Sequence, residues 1–309
     1  MCSLASSWRS RSGGRLGTRR GVETVLRGPY NPTTPSCVAT GLQTHGRADP
    51  KTGPTDTAHT QMSLTSRFAI AAMLACVVTT SLDATTLVIL RTPREIVVAA
   101  DSLLSLYGRR PQQVCKIGRH GDTVFATAGL VESQDGVLDV HAVIAQVLRR
   151  NVSWIEHVRT IKRRLQEPLL RTLRRMRREL PDEFRALAGG GFALHVSLAA
   201  FRDGTARLET REFFVEAGDT GRMRLRVRRV SCPADCAGTV NVFGVGETEA
   251  MMRHVDQLAR YPADLATLAY DLVDLQVGAT PAVVGPPIDV IRVNAAGVAW
   301  SARKASCAR

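Results

Sequence analysis

The sequence predicts an α+β domain over residues 85–309, a four-layer αββα sandwich in which two antiparallel sheets pack face to face and helices cover each outer side. Three observations lead there. The predicted elements come in blocks: strands, two helices, strands, two helices, strands. The opening strands are short, continuous runs of Val, Ile and Leu, as strands buried on both faces are. The helices carry apolar residues along one stripe only, so each needs a sheet to cover it.

The first block begins with Thr85 to Leu90 and Glu95 to Ala100, a hairpin broken at Arg91-Thr92-Pro93-Arg94, because a proline in a polar run punctuates strands. Val114 to Ile117 and Thr123 to Thr127 read as two more strands, the second running into Ala128-Gly129-Leu130. A helix is expected from about Glu132 to Arg150, with Val137, Val140, Ile144, Val147 and Leu148 on one face. A second begins at Ser153, a residue suited to an N-cap, and aligns Trp154, Val158, Ile161, Leu165, Leu169, Leu173, Met176 and Leu180. Pro168 lacks the N–H that a helix interior uses and is expected to kink or divide it. Opposite the stripe lie Arg159, Lys162, Arg163, Arg164, Arg171, Arg174, Arg175, Arg177 and Arg178; a solvated face is favoured there over an anion-binding one.

Beyond Gly189-Gly190-Gly191, strands are expected at Phe192 to Phe201, Arg207 to Val215 and Arg222 to Val230. The last alternates Arg222, Arg224, Arg226 and Arg228 with Met223, Leu225 and Val227, so one face is wet and the other covered. Val240 to Gly244 is a further strand, followed by helices from Glu247 to Arg260 and Ala263 to Leu275. Strands at Ile288 to Val293 and Val298 to Ala302 close the chain.

The front of the chain has a different character. Residues 1–61 are rich in Arg, Ser, Thr, Gly and Pro and show no apolar period, a composition that buries too little apolar surface to offset its ordering entropy. They read as a disordered extension, either a targeting segment or, the favoured alternative, an over-extended reading frame with translation starting at Met62. Residues 62–84 have the three-part layout of an export signal: Arg67, the apolar core Phe68 to Val78, and a polar run ending in Ala84. The apolar core is too short to span a bilayer, so the mature form is expected to hold no membrane span and to lie in the periplasm or outside the cell. A rival cleavage box, Met73-Leu74-Ala75-Cys76, would place a lipid at Cys76 and remove any free Thr85.

Net charge is +13, of which residues 1–84 contribute nine Lys and Arg against four Asp and Glu. Such a balance favours anionic partners in general. With only 5% aromatic residues there is little to stack on bases, which disfavours a nucleic-acid partner. Of the seven cysteines, Cys115, Cys232, Cys236 and Cys307 lie within the predicted domain. Cys232 and Cys236 are spaced for a small disulfide loop in an oxidising compartment; free thiols are the alternative. No histidine stands close enough in sequence to complete a zinc site, and no cofactor is expected.

The chemistry centres on the stretch Ala84 to Asp101. Two threonines open a strand directly after the expected cut, Asp101 follows in Ala99-Ala100-Asp101-Ser102, Lys116 stands in Val-Cys-Lys-Ile, and Gly129 precedes the first helix. In order and spacing this set resembles the N-terminal nucleophile (Ntn) hydrolases, and within them the proteasome β-type threonine peptidases. Phe243-Gly244-Val245-Gly246 and Gly285-Pro286-Pro287-Ile288-Asp289-Val290 are similar to later landmarks of that family. The likeness covers roughly residues 85–302 and is strongest over the first 50.

The resemblance implies a threonine protease or amidohydrolase whose nucleophile is Thr85 after signal removal, with Asp101, Lys116 and Gly129 completing the site. A hydroxyl and a free α-amine on one residue make a nucleophile with its base attached. The amine has a pKa of about 8, and a neighbouring lysine cation pushes it lower. Asp101 would hold Lys116 charged and oriented, and the N–H of Gly129 would face the oxyanion. The resemblance further implies a peptide or other amide substrate and a homo-oligomer, although no ring contact is legible in the sequence. Where the family carries additional serine and aspartate support for the amine, this chain has Val245, Ala282 and Gly285, with Ser102 and Glu247 as the nearest substitutes. A non-catalytic binding or assembly protein on the same scaffold is therefore the alternative.

Overall fold

The computed structural model describes residues 85–104, 112–189, 191–217 and 222–307. The expected extension at 1–61 and signal at 62–84 lie outside the described residues. Two five-stranded sheets form the centre, and every strand pairing in them is antiparallel. The first has the order β10-β1-β2-β11-β12, with β1 at Thr86–Arg91, β2 at Glu95–Ala100, β10 at Asn241–Gly246, β11 at Asp289–Asn294 and β12 at Gly297–Ala302. The second is a meander of β5 (Ile117–His120), β6 (Thr123–Gly129), β7 (Phe192–Arg202), β8 (Thr205–Ala217) and β9 (Met223–Cys232). A two-residue pair, β3 (Leu103–Leu104) with β4 (Gln112–Gln113), sits apart from both sheets and was not legible in the sequence.

Alternation along the first hairpin explains its composition. Leu87, Ile89, Ile96, Val98 and Ala100 enter the layer between the sheets, where they meet Ala126, Ala128, Ala199 and Leu208 of the second sheet. Val88, Leu90, Val97 and Ala99 point the other way, under helices α4 (Glu249–Gln257) and α5 (Leu265–Ala279). Because both faces are covered, all six residues of β1 are buried. The outer face of the second sheet is covered by α1 (Val140–Leu148), α2 (Trp154–Glu179) and α3 (Pro181–Ala188). This is the four-layer αββα sandwich; burying one Leu, Ile or Val side chain in such a layer contributes about 1.5–3 kcal/mol.

Several boundaries differ from expectation for identifiable reasons. The first helix starts at Val140, because Ser133, Asp135 and Gly136 build a turn: Ser133 Oγ donates to Asp135 Oδ1 at 2.6 Å, and Leu138 N–H donates to Ser133 Oγ at 2.8 Å. Val137 is consequently exposed. Asp139 then caps the helix, accepting from Ala142 N–H at 2.8 Å. Ser153 caps α2 as expected, but Pro168 does not divide that helix. Leu165, Leu169 and Leu173 are buried on both sides of it, and their packing outweighs one missing bond. The break comes instead at Leu180, which is exposed, ahead of Pro181. The third predicted strand is displaced to Ile117–His120, leaving Lys116 just before it.

Arg91, read as a turn residue, ends β1 and is buried; its Nε and Nη2 donate to Ala206 O at 3.4 and 3.3 Å. The basic face of α2 is exposed at Arg159, Arg163, Arg171, Arg174, Arg177 and Arg178, part-exposed at Lys162, Arg164 and Arg175, and carries paired charges such as Arg175–Glu179 at 2.7 Å, in agreement with a solvated face. Among the described residues no helix is long and apolar enough to cross a membrane.

Candidate active site

The hairpin geometry brings Asp101 beside Thr86, the residue that follows Thr85. Because β1 and β2 pair antiparallel with Leu87 opposite Ala100, the residue before the pair and the residue after it emerge side by side. Asp101 N–H donates to Thr86 O at 3.1 Å, and Asp101 Oδ1 accepts from Thr86 N–H at 2.7 Å. On the opposite sheet, Lys116 precedes β5 and Gly129 ends β6, and Thr127 N–H donates to Lys116 O at 3.0 Å. Face-to-face packing brings these two strand ends together.

Asp101 is fully buried and saturated. Oδ1 takes Thr86 N–H and the Lys116 ammonium at 2.6 Å, while Oδ2 takes Leu103 N–H at 3.0 Å and Gly285 N–H at 3.2 Å. Four donors on one carboxylate repay the desolvation of its charge. Lys116 gives a second bond to Leu103 O at 2.7 Å. Its burial pushes the ammonium pKa down to about 8, partly opposed by Asp101 and assisted by the cation of Lys304. A lysine in that range is still mostly charged at pH 7 and can change state within ordinary working pH.

Thr85, Lys116 and Gly129 line a single cavity of about 490 Å³, together with Thr127, Glu132, Asp139 and His141 among others. Asp101 stands behind Lys116 rather than on the cavity wall. Gly129 has φ +84°, and a Cβ there would meet Ala193 O at 2.6 Å, so both conformation and space require glycine. The register sets its N–H direction. Leu130 N–H donates to Ala193 O at 2.8 Å, which makes Leu130 and Ala193 the hydrogen-bonded pair. Gly129, opposite Leu194, therefore turns its N–H to the other edge of β6, where Thr127 meets Lys116. Gly246 plays a complementary part: its φ is +80°, and a Cβ would lie 1.9 Å from Thr85 O, which accepts from Glu247 N–H at 2.8 Å.

Several neighbours take part through contacts that the sequence did not foretell. Thr86 donates its hydroxyl to Glu247 O at 2.6 Å, so Glu247 contributes main chain at this point. Ser102 donates to Pro287 O and accepts from Lys304 Nζ, the latter at 2.6 Å. Gly285 gives its N–H to Asp101, and Val245 is buried between the sheets. His141 Nε2 lies 2.8 Å from Thr127 Oγ1, and burial lowers the imidazole pKa against the opposing effect of Asp139. Val245 and Gly285 lie in runs singled out in the sequence, and Ser102 and Glu247 were named as substitutes; Lys304, Thr127 and His141 carried no signal there and are placed by the fold.

Another serine–histidine–carboxylate line exists, with His195 Nε2 2.6 Å from Ser197 Oγ and Nδ1 3.5 Å from Glu212 Oε1. Both Ser197 and His195 are 2% exposed within β7, and His195 Nδ1 has no hydrogen-bond partner, so this line is closed inside the core and does not open onto the cavity. All four domain cysteines are paired, Cys232 with Cys236 and Cys115 with Cys307. The first pairing was one of the alternatives read from the sequence; the second was not anticipated. Among the described residues no cluster of His, Cys, Asp and Glu could hold a metal.

No family model matches the chain, and no curated protein matches it. Solved structures similar to it include Anbu from Hyphomicrobium sp. strain MC1, at 17% identity and TM-score 0.43 over 71% of this chain and 86% of that one. Anbu (ancestral beta-subunit) from Yersinia bercovieri is similar at 15% identity and TM-score 0.43 over 70% and 87%. Eukaryotic HslV from Trypanosoma brucei is similar at 16% identity and TM-score 0.37 over 68% and 99%. The layering and antiparallel pairing described above give this chain the four-layer αββα sandwich expected from its sequence.

Proposed function

We propose that this protein is an exported threonine hydrolase that cleaves peptide or other amide bonds through an acyl-enzyme on Thr85, after the bond between Ala84 and Thr85 is cut. One observation carries the proposal: Thr85, Lys116 and Gly129 share a cavity, with Lys116 fixed by Asp101 at 2.6 Å. Processing would turn the Thr85 nitrogen from an amide into an amine. The Lys116 cation would hold that amine unprotonated, so that it can take the hydroxyl proton directly or through a water. The Thr85 oxygen then attacks the amide carbon, and the developing oxyanion meets the Gly129 N–H. The amine proton passes to the departing nitrogen, leaving an ester on Thr85 that water hydrolyses. Export is supported by the complete pairing of the domain's cysteines, since oxidising compartments permit such pairing. A homo-oligomer belongs to the same proposal, and sedimentation of the purified protein decides it.

A second reading, a non-catalytic binding or assembly protein, is favoured by the side-chain commitments around the strand end. Ser102 is engaged by Lys304 and Pro287, and Val245 is buried away from the cavity, so neither side chain offers support to an amine on Thr85. Labelling with a threonine-directed electrophile separates the two. A hydrolase labels at Thr85 and loses the label in Thr85→Ala while keeping it in Thr86→Ser; a binding protein stays unlabelled at saturating probe.

A further inference from the structure

The segment after β12 makes its contacts on the neighbours of the site. Lys304 is buried with its charge, its side chain only 3% exposed. Its backbone N–H donates to Asp289 Oδ1 at 2.8 Å, and its ammonium lies 3.0 Å from Asp289 Oδ2, itself 1% exposed. The same ammonium donates to Ser102 Oγ at 2.6 Å and to Val114 O. Three residues on, Cys307 is bonded to Cys115. Ser102 follows Asp101 in the chain, and Val114 and Cys115 lead into Lys116. These two segments also meet each other, Val114 N–H donating to Ser102 O at 2.8 Å.

A buried ion pair costs several kcal/mol of desolvation per ion unless its geometry repays it. Two such pairs at one end of a sandwich, cross-linked through Ser102, Val114 and a disulfide, form an arrangement that a purely apolar tail would not reproduce. We infer that Lys304, paired with Asp289, is a positioning residue: it braces the segments carrying Asp101 and Lys116 and keeps a second positive charge behind the Lys116 ammonium. The inference rests on Asp101 and Lys116 being the site residues. The other charged or titratable groups around Lys116 are Asp101, which pairs with it, His141, Glu132 and Asp139, which line the same cavity, and, in the processed chain, the Thr85 amine.

The test compares wild type, Lys304→Arg and the double variant Lys304→Met/Asp289→Asn, in which no buried charge is left unpaired. The readout is the titration of the Lys116 ammonium, followed by lysine-selective NMR and assigned with Lys116→Met, on proteins shown by circular dichroism and cooperative melting to be folded. The Lys304 cation presses the Lys116 pKa down, so its loss is expected to move the Lys116 midpoint to higher pH in the double variant, with Lys304→Arg staying near wild type. An unchanged midpoint in the folded double variant overturns the inference. Labelling of Thr85 by the electrophile is expected to slow about tenfold or more in the double variant, because small displacements of a catalytic group are costly. Wild type that never labels rejects the hydrolase proposal by itself, and the NMR titration then still decides the role of Lys304.

Discussion

Lys116 gives the sharpest pH prediction. Its ammonium is lowered to about 8 by burial, with Asp101 holding it up and Lys304 pressing it down. Below that value the cation is present; above it the charge is lost. At pH 7 the charged form therefore outnumbers the neutral one roughly 10:1, and at pH 9 the ratio is roughly inverted. If only the charged form keeps the Thr85 amine poised and stabilises the oxyanion, the rate falls about tenfold across those two units. The amine itself deprotonates with rising pH and produces the acid limb, so the expected profile is a bell whose alkaline limb has its midpoint near 8. The assay is kcat/KM for an amide substrate, or the rate of Thr85 labelling, measured on processed protein from pH 5 to pH 10. Lys116→Arg provides the internal control, because a guanidinium stays charged across that range; whatever activity it retains is expected to lack the alkaline limb. A wild-type rate that keeps rising through pH 9, or an unchanged limb in Lys116→Arg, would refute the assignment of that limb to Lys116.

Two further perturbations test the support around it. Asp101→Ala strands the Lys116 cation in a buried site together with the N–H groups of Thr86, Leu103 and Gly285, and is expected to cost about 3–5 kcal/mol in urea unfolding; Asp101→Asn, which keeps the shape and one acceptor, should cost clearly less. Opening the disulfide between Cys115 and Cys307 releases a link across 192 residues of sequence. The chain-entropy estimate for a loop of that length is about 5 kcal/mol, so Cys115→Ala/Cys307→Ala is expected to lower the Tm well below wild type in oxidising buffer and to match wild type in a strong reductant.

The layers of this fold could be read from the sequence because its signals are local. Continuous Val, Ile and Leu in the first hairpin mark strands buried on both faces, and the stripe from Val158 to Met176 marks a helix buried on one. Boundaries moved where side-chain chemistry outranked periodicity. Ser133 and Asp135 built a turn inside a helical pattern, while the buried leucines carried α2 through Pro168. The site was half legible. Thr85, Asp101, Lys116 and Gly129 were expected from the resemblance, and the structure brings Thr85, Lys116 and Gly129 to one cavity with Asp101 behind Lys116. Asp289 stood in a run singled out in the sequence, but Lys304 left no local mark, because a lysine after a terminal strand looks like any surface cation until tertiary packing buries it beside Ser102.

The most direct measurement is the mass of the amino-terminal peptide of the mature protein, taken together with the attachment point of a threonine-directed electrophile. A threonine hydrolase requires a chain beginning at Thr85, with the electrophile bound to that residue. A mature chain that retains Ala84, or one that starts at Thr85 and still takes no label at saturation, would contradict it.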